Sequence, residues 1–353
     1  MIENESNAIS GARAIAIVLV VIGHAMIGNI RTENAVIDFI WCFIYSFHMY
    51  FFFCISGMLF EKNINKYISN KYKFIVGKFK LLIIPYIVIS LVEYTGIFAV
   101  RFILQFMGKG VQIADIGIID ALKAIIFNTG HFDTHLWYIY LLFFIFVINI
   151  LFLRKNIPVL FIIGLALLVL GYPYLSYVPW KFQSLVYYIV PFVLGRIFYR
   201  KDFLKKSMRQ SKSKIIAYFL CMLLLNSIIY YLENIYMSNL FGIPGLKIGV
   251  VQNIKYLTGF LGSILLIYFG HRFIHCSLMK PLLKCLDKYS YEIYLYHQPF
   301  ITVGCATVMF KLRFPVLMII ILSTIIGTMV PIFISKYMMR RNQFLSKLFL
   351  GGH

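Results

Sequence analysis

Acidic residues are scarce in this chain: 13 Asp and Glu stand against 34 Lys and Arg, and all charged residues together fill 13% of 353 positions. Soluble domains carry about 25% charged residues, so a fully water-exposed globular surface is excluded. Catalytic signatures are missing as well. There is no Walker loop, no G-x-S-x-G elbow and no His-x4-Asp of the glycerolipid acyltransferases, so a covalent serine route has no support. The six cysteines (Cys42, Cys54, Cys221, Cys276, Cys285, Cys305) form no C-x-x-C pair, which argues against a disulfide framework or a zinc knuckle. A basic n-region is lacking too: Glu3 and Glu5 precede the first apolar run, which therefore reads as a retained helix and not a cleaved signal.

What is abundant is apolar sequence. Hydrophobic residues make up 61% of the chain and mean hydropathy is +0.83, the composition of a polytopic membrane protein. Runs long enough to span, or nearly so, fall at about 11–30, 39–60, 81–104, 136–153, 157–175, 184–200, 215–232, 248–270, 289–310 and 315–337. The expectation is an all-α bundle of about ten transmembrane helices forming one integral domain over 1–353, with no linker long enough for a second. An eleventh piece, 116–128, carries Asp115, Asp120 and Lys123 in helical register and reads as interfacial or re-entrant.

The formal charge of +21 would suggest nucleic acid in a soluble chain, but here the placement of the cations explains it. With the N-terminus in the cytoplasm, 25 of the 34 Lys and Arg fall on the inner side, leaving 34 − 25 = 9 outside. Inverting the chain reverses that ratio, so both termini are expected to be cytoplasmic, with the basic loops meeting anionic lipid and no nucleic acid.

Against this apolar background a few titratable groups stand out. Eleven helical steps separate Arg13 from His24 and lift the imidazole about 16 Å, roughly half the hydrocarbon thickness. His48 lies 13 residues before Glu61, Glu93 lies 13 beyond Lys80, and His297 lies nine beyond Lys288. On straight helices those four groups share one layer. Ionisable side chains at that depth are costly, usually face the bundle interior and serve a pathway or a reaction. A lone histidine can instead be neutral glue between helices; four groups at one level argue for a polar chamber.

Four separated stretches carry a resemblance. They are Arg13-x10-His24; Tyr45-Ser-Phe-His48-Met-Tyr-Phe-Phe-Phe-Cys-Ile-Ser-Gly57; Lys78-Phe-Lys80-Leu-Leu-Ile-Ile-Pro85-Tyr86 with His135-Leu-Trp137-Tyr; and Ser290-Tyr-Glu292-Ile-Tyr-Leu-Tyr-His297-Gln-Pro299. Together, and in this order, they resemble the acyltransferase 3 family of bacterial integral membrane acyltransferases, closest to its polysaccharide O-acetyltransferase and fucose 4-O-acetylase-like branch. The resemblance implies a multi-pass enzyme of the bacterial cytoplasmic membrane that moves an acyl group, acetyl above all, from cytoplasmic acyl-CoA to a hydroxyl of an envelope or exported glycan. It implies no permanently bound cofactor; acetyl-CoA is the donor substrate.

By that resemblance Arg13 and His24 match the family's Arg-x10-His motif, with His24 as the catalytic histidine. A neutral imidazole working near its own pKa can take the proton of a sugar hydroxyl as it attacks a thioester. His48 also matches a family position and could orient His24 or contact the thioester. Gly57 would let a helix or a pantetheine arm approach closely. Lys78 and Lys80 stand where the family often has arginine. They supply charge to the CoA phosphates without a bidentate fork, and positive-inside anchoring explains them equally well. Arg196 and Arg200 are further phosphate candidates. Glu93 and His297 belong to the chamber, with Pro299 expected to loosen the helix beyond His297. Glu292, near the inner surface, could cap a helix or pair with a loop lysine.

His131, Asp133 and His135 precede the fourth long run. No fourth ligand accompanies them, so no metal site is expected. His135, with Trp137 and Tyr138 stacking on a sugar face, reads as acceptor contact or as part of an interfacial aromatic belt. His271 and His275 have no assigned role. The partners expected are acyl-CoA, a glycan acceptor and the bilayer, with a homo-oligomer or polysaccharide-synthesis machinery also open. The rival function is a multipass transporter or flippase for a glycan or small polar substrate, in which mid-membrane groups form a proton relay. No inverted repeat and no matched pair of Gly/Pro-broken helices supports it.

Overall fold

The computed structural model describes residues 3–106, 117–128, 135–152, 182–234, 239–240, 243–244 and 246–352. The expected span at 157–175, and His131, Asp133 and Asp115, lie outside the described residues. The helices are α1 (Glu3–Ala25), α2 (Gly28–Glu33), α3 (Ala35–Tyr45), α4 (His48–Lys62), α5 (Ile64–Ser69), α6 (Lys71–Lys78), α7 (Ile84–Phe106), α8 (Ile118–Phe127) and α9 (Trp137–Leu151). They continue as α10 (Phe182–Arg200), α11 (Phe203–Met208), α12 (Lys212–Asn234), α13 (Leu246–Ile274), α14 (Lys280–Lys288), α15 (Ser290–Tyr296), α16 (Thr302–Lys311), α17 (Val316–Ile334) and α18 (Gln343–Leu350). Single π turns at Phe79–Ile83 and Ser335–Met339 join α6 to α7 and extend α17. A two-residue antiparallel ladder, Asn239–Leu240 with Ile243–Pro244, lies between α12 and α13.

Among the described residues, six stretches are long and apolar enough to cross a membrane: Glu3–Ala25, Ala35–Lys62, Lys71–Ile103, Lys212–Asn234, Gly249–Ile274 and Val316–Met339. Apolar α9 is shorter, at 15 residues. One expected span is broken. The run 289–310 is not a single helix, because Pro299 has no N–H to donate; α15 stops at Tyr296 and α16 starts only at Thr302. The run 39–60 is interrupted at Ser46 and Phe47, between α3 and α4.

Among the described residues two compact units emerge, one from 3–66, 186–234, 239–240, 243–244 and 246–333, the other from 67–106, 117–128, 135–152, 182–185 and 334–352. In the first, α1 lies along α13, and Gly11 meets Gly270 backbone to backbone, where a Cβ on either would collide with the other helix. Gly57 of α4 and Gly195 of α10 do the same reciprocally, against Phe192 and Cys54. It is therefore a helix that uses the room at Gly57. Ala8, Ala12 and Ala16 of α1 join Phe47, Phe51, Cys54 and Leu266 in the core. Glu3 and Glu5 complement the positive end of α1, and Asn34 caps α3 by accepting the Val36 and Ile37 N–H groups.

In the second unit α7 packs on the Phe79–Ile83 turn and on α18. Tyr86 donates to the Ile125 carbonyl at 2.6 Å and accepts from Asn128 at 3.1 Å, which ties α8 down although Ile118 and Ile119 stay exposed. The chain leaves α18 through Gly351 at φ +65°, close on the backbone of Lys80 and Leu81, where any side chain would be both strained and blocked.

Candidate active site

Three histidines of the first unit sit where helices stop or start. His24 lies in the last turn of α1, His48 opens α4, and His297 follows the last residue of α15. Broken helix inside a membrane protein is tolerated where it is buried in protein or lines a cavity, which makes these ends candidates for a site. The His24 and His297 rings lie 5.1 Å apart, centroid to centroid. The Tyr45 hydroxyl stands 3.2 Å from His24 Nδ1 and 3.4 Å from Nε2. The same Tyr45 ring meets His48 edge-on at 4.9 Å, and so joins the second histidine to the first.

Local sequence explains how Tyr45 gets there. Gly23 leaves the space its ring occupies, since a Cβ at that position would strike it. On α3, one turn earlier, Trp41 stacks on Tyr45 at 4.2 Å and carries the Arg31 guanidinium at 3.7 Å from its ring centre. Arg31 is itself paired with Asp38 at 3.2 Å. The tyrosine that touches His24 is thus fixed by an aromatic stack with a cation on it.

The three rings differ in access. His48 and His297 are 1% and 0% exposed, whereas His24 is only partly buried. His48 Nδ1–H donates to the Ile44 carbonyl at 2.7 Å, and His297 Nδ1–H to the carbonyls of Ile293 and Tyr294 at 2.9 and 2.8 Å. Carbonyls only accept, so these bonds place a proton on Nδ1 in both rings. Near the same place Gly327 of α17 abuts the Thr302 hydroxyl and Val21, three residues before His24 on α1. Thr302 and Ser323 are fully buried, and among the described residues their hydroxyls have no hydrogen-bond partner.

Arg13 and His24 do share one continuous helix, which sets the rise of about 16 Å between them. Arg13 Nε donates to Asp287 at 2.7 Å and Ser10 donates to the same carboxylate at 2.6 Å, locking α1 to α14. Arg196 and Arg200, expected to be open to phosphate, are both engaged by Glu61: Arg196 Nε at 2.8 Å, with Arg200 on the other oxygen. Arg196 is 0% exposed. The reason is electrostatic, because a carboxylate buried at the end of α4 requires cations to neutralise it.

The remaining expected site residues belong to the second unit. Glu93 faces His135 at 3.5 Å, both buried, so His135 is not an open acceptor contact at the membrane surface but a partner of the α7 carboxylate. The Lys78 ammonium lies over the Phe146 ring at 4.4 Å, and Lys80 is exposed on the π turn. Trp137 is partly buried beside Tyr138. Glu292, in the first unit, is buried, at 1% exposure. Among the described residues no group of three or more His, Cys, Asp or Glu could hold a metal ion.

Sequence reasoning missed Asp287, Thr302 and Ser323, and quoted Tyr45 without giving it a role. Asp287 had a signal: it is one of only 13 acids and stands three residues before the Ser290 stretch. The two hydroxyls had none.

The first unit thus brings three histidines together at helix ends, with one ring partly exposed and two buried, in a chain with six helical stretches long and apolar enough to cross a membrane among its described residues. The model of the acyltransferase domain family (acyltransferase 3) matches residues 6–336, nearly the whole chain, and the protein belongs to that family. No curated protein and no solved structure matches the chain.

Proposed function

We propose that the protein moves an acyl group, acetyl above all, from cytoplasmic acyl-CoA to a hydroxyl of an envelope or exported glycan, working as one domain in a bacterial cytoplasmic membrane. Ten spans with both termini inside complete this reading, which the cation distribution supports. The observation that carries it is the accessible His24 bonded to Tyr45 and flanked by His297, in a chain of an acyltransferase family.

The reaction is direct transfer. His24 takes the proton of the acceptor hydroxyl as its oxygen attacks the thioester carbonyl; the C–S bond breaks, and the CoA sulfur leaves with the proton from the imidazolium. His48 and the Tyr45 hydroxyl hold the imidazole in place, which preserves the near-attack geometry that such a step needs. The Thr302 hydroxyl, packed at Gly327 beside Val21 of α1, is a candidate to donate to the carbonyl oxygen as it gains charge. Arg13, about 16 Å along α1 from His24, supplies positive charge to the CoA phosphates.

Two measurements on the full chain test the reading. CoA should raise the thermal midpoint of purified protein, as any ligand of the folded state does. Mass spectrometry of envelope glycans should show acyl groups that vanish in cells lacking the protein. Unchanged glycans together with no stabilisation by CoA would reject the proposal.

A further inference from the structure

A cavity of about 380 Å³ opens in the first unit between the start of α1 and the turn from α10 into α11. Four charged side chains line it, Glu5, Arg200, Asp202 and Lys205, with an apolar wall that includes Phe198 and Phe203. Its volume falls within the roughly 300–1,000 Å³ of small-ligand clefts. The charged groups are within a ligand's reach, because the Arg200, Asp202 and Lys205 side chains are 49%, 66% and 41% exposed.

The ion pairs around the cavity leave charge over on each side. Glu61 is shared by two guanidiniums, Arg196 and Arg200, so these three groups carry one surplus positive charge, and Arg200 presents it to the cavity. The Lys205 ammonium is shared by two carboxylates, Asp202 at 3.4 Å and Glu5 at 3.8 Å, so these three carry one surplus negative charge. The wall is neutral in sum but dipolar, and it matches a ligand with an anionic and a cationic group side by side. Carboxylates accept hydrogen bonds from a primary ammonium, whereas a quaternary one is held by open aromatic faces. Phe198 and Phe203 instead stack on each other at 4.2 Å and pack against Phe260, which makes them a packed wall and not a cage.

Position supplies the rest. Glu5 stands at the start of Glu3–Ala25, and α11 leads into Lys212–Asn234, both stretches long and apolar enough to cross a membrane. A cavity beside the ends of two such stretches, apolar on one wall and charged on the other, is placed to meet lipid headgroups. We infer that it holds the headgroup of a phospholipid with a primary ammonium, phosphoethanolamine, its phosphate on Arg200 and its ammonium on Asp202 and Glu5. The site shares no residue with the histidine cluster, and the inference stands apart from the transferase reading.

Native mass spectrometry of the purified full chain tests this, with dioleoyl phosphatidylethanolamine, phosphatidylcholine and phosphatidylglycerol offered at equal concentration. The parent should retain the ethanolamine lipid roughly threefold more than either of the others, the worth of one exposed charge pair. Glu5→Gln combined with Asp202→Asn leaves Arg200 and Lys205 on the wall, and should reverse the order so that the anionic glycerol lipid outranks the ethanolamine lipid. Glu3→Gln, which removes an exposed carboxylate of α1 that does not line the cavity, should keep the parent's order. If the double variant does not fold, Asp202→Asn alone, at an exposed position, should still lower the preference about twofold. Equal retention of all three lipids by the parent, or a preference that neither the double variant nor Asp202→Asn changes, would overturn the site. Water-soluble glycerophosphoethanolamine separates a lipid from a free zwitterion: binding as tight as the lipid's would assign the cavity to a soluble ligand. Displacement of the lipid by CoA would assign it to the acyl donor, and either result would overturn the proposal.

Discussion

Among single residues, Tyr45 ties three parts of the site together. It bonds the His24 ring, stacks on Trp41 and touches His48. Tyr45→Phe removes only the hydroxyl, and if that bond is worth about 1 kcal/mol in the transition state, kcat falls by roughly fivefold with the acetyl-CoA KM unchanged. Steady-state kinetics in detergent checks this; an unchanged kcat would strip the contact of its role. Arg13 and His24 were legible because both lie on one uninterrupted apolar helix, where spacing converts directly into height. Asp287 was not legible as the partner of Arg13, because 274 residues separate them and helical spacing says nothing about which distant helix comes alongside. Similarly, His135 looked like a surface residue from its place before α9, yet it is buried against Glu93.

At the scale of elements, two kinds of contact hold helices together, and their magnitudes differ. Arg13 and Asp287 are 35% and 15% exposed, so this pair contributes at most about 1 kcal/mol. The Glu61 carboxylate and Arg196 are 5% and 0% exposed, and removing the carboxylate strands a buried guanidinium, which costs about 3–5 kcal/mol. Glu61→Gln should therefore destabilise the protein several times more than Asp287→Asn in urea or thermal unfolding; the reverse order would contradict this account. Gly57→Ala drives a methyl into the Phe192 backbone and should cost about 1–3 kcal/mol by separating α4 from α10. A melting curve unchanged from the parent would show that the two helices do not need that approach. Helix existence was readable from the apolar runs, and the break beyond His297 from Pro299. The break at Ser46–Phe47 carries no proline, and nothing in the local sequence marks it.

For the whole molecule, the proposal places both termini and the basic loops in the cytoplasm. Cys276 and Cys285 are exposed near the turn from α13 into α14, on the expected inner side. A membrane-impermeant maleimide should label them in inverted vesicles and not in intact cells, and the signal should vanish in the C276S/C285S variant. Labelling in intact cells would invert the topology. The central claim, that one imidazole joins a donor on one side to an acceptor on the other, is met most directly by sealed proteoliposomes. These would hold labelled acetyl-CoA at the cytoplasmic face, with the cell's own envelope glycan supplied at the opposite face. The parent protein should place label on the glycan, and His24→Ala, folded with an unchanged melting curve, should place none. Label transferred by that variant at near the parent rate would contradict the account.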